Sequence, residues 1–241
     1  MTPNGVSGIM ILVGSFATLF FLVPSREMYL SGAILLQFWY TLDGVDGELA
    51  RYRHYQRTGS MIMDKRDGGV TGAYIDIVNH YMINFLVPLT ISFGLFQKNH
   101  SSLWIVIGGL ASLGQVLMLA LHDARARSMM THLKRFNHVR ILKESAESKK
   151  PGEKDQSRSI AKYFFIALHH TLIYPAVMNL VGISAIMNFL MPAWEWRTPL
   201  LLYFAFGTAM VSAGMIARNV LTQSCEGELK SQFQLSDKPL P

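Results

Sequence analysis

The chain has 241 residues, half of them hydrophobic, a formal net charge of +6 and a single cysteine, Cys225. Its apolar residues come in long runs rather than in alternation, which excludes an ordinary soluble domain, and one cysteine excludes an internal disulfide and a cysteine-only metal site. The positive charge lies in the segments between those runs, which assigns it to membrane topology and contact with anionic headgroups and leaves nucleic acid no role as a partner.

A bilayer span needs about 20 mostly apolar residues. Six segments reach that length, at about 5–24, 28–49, 72–97, 102–121, 161–190 and 198–219. The expected fold is all-α: a polytopic membrane protein with a six-helix transmembrane domain over 1–221, loops at about 50–71 and 122–160, and a polar tail at 222–241 expected to be loosely ordered. The first segment, "GVSGIMILVGSFATLFFLVP", has no basic stretch before it and no small-residue cleavage pattern after it, so it reads as a retained helix and not a signal peptide. Arg51, Arg53, Arg57, Lys65 and Arg66, eleven basic residues from Arg125 to Lys162, and then Arg218, Lys230 and Lys238 fall on one side. Only Arg26, Lys98 and Arg197 fall on the other. The positive-inside rule then places both termini and both loops in the cytosol.

The second segment does not end as an apolar helix should. "TLDGVDGELARYR" carries Asp43, Asp46, Gly47, Ala50 and Arg51 at spacings of three and four, which share one helical face. The third segment opens with "GAYIDIVNHYMIN", where Gly72, Asp76, His80 and Asn84 recur every four residues. Two helices joined by a short loop are natural neighbours, and these polar stripes lie at similar depth. Carboxylates inside a membrane are costly and mark a pathway, a partner or a metal. Three of them converging would repel one another without a cation between them. Oxygen ligands suit Mg²⁺ or Mn²⁺, and Mg²⁺ commonly takes a substrate phosphate into its shell. Gly47 and Gly72 leave room for a ligand, and Arg51 can pair with a phosphate. The residues by themselves indicate a divalent-metal diphosphate site opening to the cytosol.

The two stretches resemble the signature of the CDP-alcohol phosphotransferase (CDP-alcohol phosphatidyltransferase) family, Asp-x2-Asp-Gly-x2-Ala-Arg followed by Gly-x3-Asp-x3-Asp. Asp43, Asp46, Gly47, Ala50 and Arg51 match the first half in full, and Gly72 and Asp76 match the second. "TPNGVSGIMILVGSFATLFF" is similar to the family's first membrane helix. The departures are His80 in place of the fourth aspartate and a spacer between Arg51 and Gly72 longer than is usual. The resemblance implies an enzyme of lipid synthesis that moves a phosphoryl-alcohol from a CDP-linked donor to an acceptor alcohol and releases CMP. It implies Asp43, Asp46, Asp76 and His80 as metal positions for one or two ions, Mg²⁺ or Mn²⁺. Gly47, Ala50, Arg51 and Gly72 would line the nucleotide, with Asp76 and His80 closest to the chemistry. Membrane lipid is a partner as donor or acceptor, and homodimerisation is implied by resemblance alone.

Two readings from another class stand beside the enzyme. One is a catalytically degenerate family member acting as a membrane interaction subunit; the other is a carboxylate-lined transporter, against which the apolar extracytosolic halves of the helices count. Weaker features are His169 and His170 within the fifth segment, and Arg125 and Arg127 after the fourth. Trp194 and Trp196 read as interface anchors, and the glycines of "IGGLASLG" as helix-packing positions.

Overall fold

A computed structural model describes residues 3–59, 70–134, 138–141, 160–173, 175–222, 225–226, 229 and 233–236. Among them are seven α-helices: α1 (Pro3–Phe20), α2 (Arg26–Thr58), α3 (Val70–Asn99), α4 (Leu103–Leu133), α5 (Ile160–Leu172), α6 (Ala176–Leu190) and α7 (Arg197–Thr222). A short antiparallel ladder pairs β1 (His138–Ile141) with β2 (Phe233–Ser236). The protein is thus all-helical in its framework. Three helices, α3 from Gly72, α4 and α7, are long and apolar enough to cross a membrane, and the broken pair α5 and α6 can supply a fourth span. That composition makes it a membrane protein.

Three element boundaries differ from the sequence expectation. α2 does not stop near residue 49 but runs to Thr58, because "ELARYRHYQRT" is rich in helix formers. It ends where Gly59 takes a left-handed conformation (φ 70°) and its N–H bonds Tyr55 O. The expected single helix over 161–190 is two helices, interrupted just before α6 by Pro175, which has no N–H to give to the helix ladder. The tail is not wholly irregular, since Phe233–Ser236 forms β2. Residues 60–69 of the first loop and the polar linker 142–159 lie outside the described residues.

The chain divides into two compact units, residues 1–116 with 170–208, and residues 117–169 with 209–241. In the first, α1 packs along both α2 and α3, and α2 along α6. At seven-residue intervals, twice within α1 and once just past its end, the chain meets its antiparallel neighbour α2: Ser7 bonds Asp46, Gly14 faces Trp39, and Phe21 covers Gly32. Gly14 is the tightest point of this seam. A Cβ there would fall 2.5 Å from Ile83 Cδ1 of α3 and 2.9 Å from Trp39 Cδ1 of α2, so a side chain at this level would force the Ile83 methyl and the Trp39 ring to shift. The expected packing role of "IGGLASLG" holds at Gly108, against Ser92, and at Gly114, against Thr208, whereas a Cβ on Gly109 meets nothing within 4 Å.

At the end of the seam remote from Ser7, the Arg197 side chain is fully buried. It grips Glu195 through Nε (2.6 Å to Oε1) and Nη2 (2.9 Å to Oε2), and its guanidinium carbon stands 5.5 Å from the centre of the Tyr29 ring. Lys98 Nζ donates to the same carboxylate at 2.5 Å, which ties the C-terminus of α3 to the loop before α7. Gln37 of α2 donates to Met178 O of α6 at 2.9 Å. In the second unit, the Phe165 ring of α5 lies so close over Gly214 of α7 that no side chain fits there.

Burial alone would push the Glu195 carboxyl up, but the hydrogen bonds and charges of Arg197 and Lys98 outweigh it and hold the group at about 2. A carboxylate held below its usual range stabilises the fold fully above its unfolded value, and that contribution is lost as pH falls through the folded value. The thermal midpoint in detergent should therefore be flat above about pH 5 and drop as the pH approaches 2, by scanning calorimetry. Glu195→Gln, which leaves Arg197 buried without its counter-charge, should cost about 3 kcal/mol at neutral pH and flatten the acid limb.

Candidate metal centre

The two polar stripes meet. Asp43 sits one turn past Trp39 on α2, while Asp76 and His80 stand one turn apart on α3. His80 Nε2 lies 3.6 Å from Asp43 Oδ1 and 3.3 Å from Asp76 Oδ1. The His80 and Asp43 side chains are 20% and 23% exposed and Asp76 is 47% exposed, so the group is sheltered on one side and open on the other. Trp39, one turn before Asp43, sets its ring edge-on to His80 with centroids 5.6 Å apart, and fixes the imidazole between the carboxylates. Asn84 belongs to the same stripe of α3, but its amide turns back to donate to His80 O at 2.8 Å and takes no part in the group.

One ligand atom from each of Asp43, Asp76 and His80 can be chosen so that all three lie within 4.8 Å of one another. Ligands of one ion at bond lengths of about 2.0–2.2 Å stand no more than about 4.4 Å apart, so a contraction of a few tenths of an ångström would close the set around a cation. Two carboxylates with one imidazole fit a divalent ion of the Mn²⁺ type, and Mg²⁺ where a substrate supplies further oxygens.

Asp46 stands outside this group. Its Oδ2 accepts a hydrogen bond from Ser7 of α1 at 2.5 Å, which makes α1 a third wall of the site. Nothing in the spacing of α2 and α3 signals Ser7; its sequence mark is only a hydroxyl among small residues in "TPNGVSG". Arg51 pairs with Glu48, one turn earlier, through Nη2 at 2.6 Å, and both side chains are largely exposed, so the guanidinium is poised beside the stripe and not over it. A Cβ on Gly47 would meet only the Arg51 guanidinium, at 3.7 Å, which leaves open space at that position. Ala50 and Gly72 are half-buried on the same stripes. Next to His80, Asn79 is buried with neither amide atom partnered among the described residues. Of the weaker candidates, His169 pairs with His122 in the second unit, whereas Asp43, Asp76 and His80 belong to the first.

A comparison with models of known protein families finds no match to this chain, and a comparison with curated proteins finds none either. The reading of the site therefore rests on its residues and geometry.

Mn²⁺ titrated into the purified protein and followed by electron paramagnetic resonance of the free ion should report saturable binding. Asp43→Asn and Asp76→Asn should each weaken it at least about tenfold, as expected for loss of a charged ligand from a site this small.

Proposed function

We propose that the chain is an integral-membrane phosphotransferase of the CDP-alcohol type. The carrying observation is the convergence of Asp43 from α2 with Asp76 and His80 from α3, residues that stand at the motif positions of both segments. In this reading six spans cross the bilayer, α5 and α6 together forming one of them. In the same reading both termini and the acidic group face the cytosol, which the distribution of arginine and lysine supports.

The chemistry follows from what each residue offers. A divalent ion, when bound, neutralises the donor diphosphate and stabilises the leaving phosphate. Asp43 and Asp76 hold it from two helices, and Asp46, positioned by Ser7, completes the acidic edge toward the nucleotide. Gly47, Ala50 and Gly72 leave the surface low enough for cytidine and its phosphates to approach, and Arg51 exchanges Glu48 for a phosphate oxygen. Where the ion is held by the carboxylates and substrate oxygens and His80 stays off it, His80 Nε2 takes the proton of the acceptor hydroxyl; the acceptor oxygen bonds to the phosphorus that carries the donor alcohol, the bond from that phosphorus to CMP breaks, and CMP leaves with the electron pair. Neutral imidazole is a base suited to neutral pH. The site reads only the shared CDP part, so the lipid enters either as the CDP-linked donor or as the acceptor alcohol.

A second reading is favoured by one observation: the imidazole lies between Asp43 and Asp76, where a fourth carboxylate would have demanded a cation. A non-catalytic membrane subunit built on the same scaffold would keep this arrangement without metal.

Release of CMP by the purified protein separates the two. With Mg²⁺ or Mn²⁺, a panel of CDP-linked donors and candidate acceptor alcohols, wild-type protein should release CMP and Asp46→Asn should lower the rate at least about a hundredfold. His80→Ala should depress kcat more than it raises the KM for the donor, and His80→Asp should retain turnover. Absence of CMP release from every donor, together with undisturbed folding, would leave the subunit reading.

A further inference from the structure

The second unit carries a cluster that the acidic site does not use. His122 of α4 and His169 of α5 set their Nε2 atoms 3.3 Å apart, with ring centroids at 5.5 Å and planes tilted by 36°. His122 is exposed and His169 half-buried, so the pair is reachable from outside the fold. As neutral rings they share one proton, one Nε2 donating and the other accepting. The same geometry suits an ion in place of that proton. Two imidazole nitrogens at about 2.0–2.1 Å from a tetrahedral ion stand about 3.3–3.4 Å apart, so the observed spacing already suits shared ligation and each ring has only to tilt its Nε2 lone pair off the N···N line toward the ion. The donor ring also shifts its hydrogen to Nδ1, which makes both Nε2 lone pairs available to the ion.

The chemical class follows from the donors. Imidazole nitrogen selects borderline ions such as Zn²⁺, Ni²⁺ or Cu²⁺, whereas the oxygen-rich Asp43–Asp76–His80 group suits Mg²⁺ or Mn²⁺. The two histidines come from helices separated in sequence by residues 134–159, so an ion held by both closes that whole segment into a loop. We propose that His122 and His169 form a second metal site, selective for an imidazole-preferring divalent cation, which fastens α4 to α5. Water completes the coordination shell.

The test uses the full chain, purified in detergent without a histidine tag, in an Asp43→Asn background that removes a ligand of the acidic group, since Mg²⁺ would not keep Ni²⁺ out of it. Isothermal titration with Ni²⁺ should show one saturable site, weakened at least tenfold by His122→Gln and by His169→Gln and unchanged by His170→Gln. Nickel-edge X-ray absorption on the Asp43→Asn protein, which needs no histidine variant to fold, should count two imidazoles per ion. Equal Ni²⁺ affinity in the Asp43→Asn protein with and without either histidine substitution, no binding by the Asp43→Asn protein, or a count of one imidazole overturns the proposal. None of these outcomes depends on CMP release, so the inference stands or falls apart from the proposed activity.

Discussion

Two carboxylates drawn from different helices repel each other most where water is scarce, and the arrangement of the first unit is organised around making that juxtaposition tolerable. Asp43 and Asp76 approach a common point because His80 lies between them and can hydrogen-bond to either. The imidazole is itself oriented by the edge of Trp39. Trp39 is buried because α1 has a glycine where the indole passes, at a level where Ile83 of α3 also presses in. The chain of dependence runs from a missing side chain on α1 to an aromatic wall on α2 and then to the polarity of α3. A core of close-fitting small and aromatic residues holds an electrostatic cluster that would otherwise spread apart.

At its far end the same unit handles charge in the opposite manner. Arg197 and Lys98 both donate to the Glu195 carboxylate, with Tyr29 beneath the guanidinium. The acidic group is half open, with the Asp76 side chain 47% exposed, whereas the Arg197 guanidinium is enclosed by the bundle.

The elements whose signal is local were legible in the sequence. Apolar runs gave the helical class, and the spacing of Asp43, Asp76 and His80 gave two stripes that the structure does bring together. Features set by pairing between distant residues were not legible. The bond between Ser7 and Asp46 depends on how α1 lies against α2, the burial of Arg197 depends on a carboxylate two residues away being enclosed by α3, and the meeting of His122 with His169 depends on how two helices pack. The break at Pro175 was in plain view, but hydropathy averages over a single proline. The helical continuation of α2 to Thr58 was hidden by its charge, since a window tuned to lipid ends a helix where polarity begins even though the backbone continues. How many of the seven helices cross the bilayer is likewise not fixed by length and apolarity, because α2 has length without uniform apolarity and α1 the reverse.

The seven-residue recurrence along α1 has a consequence for what this sequence can tolerate in evolution. Ser7, Gly14 and Phe21 meet Asp46, Trp39 and Gly32, and each pair of residue numbers has the same sum, 53 (7 and 46, 14 and 39, 21 and 32). α1 therefore behaves as a ruler laid against α2. Exchanging one side chain along it alters a single mark, but adding or removing one residue between Ser7 and Phe21 turns everything beyond it by about 100° and puts at least one of the three marks on the wrong face. Chains descended from this one should vary in the letters of α1 while keeping its count.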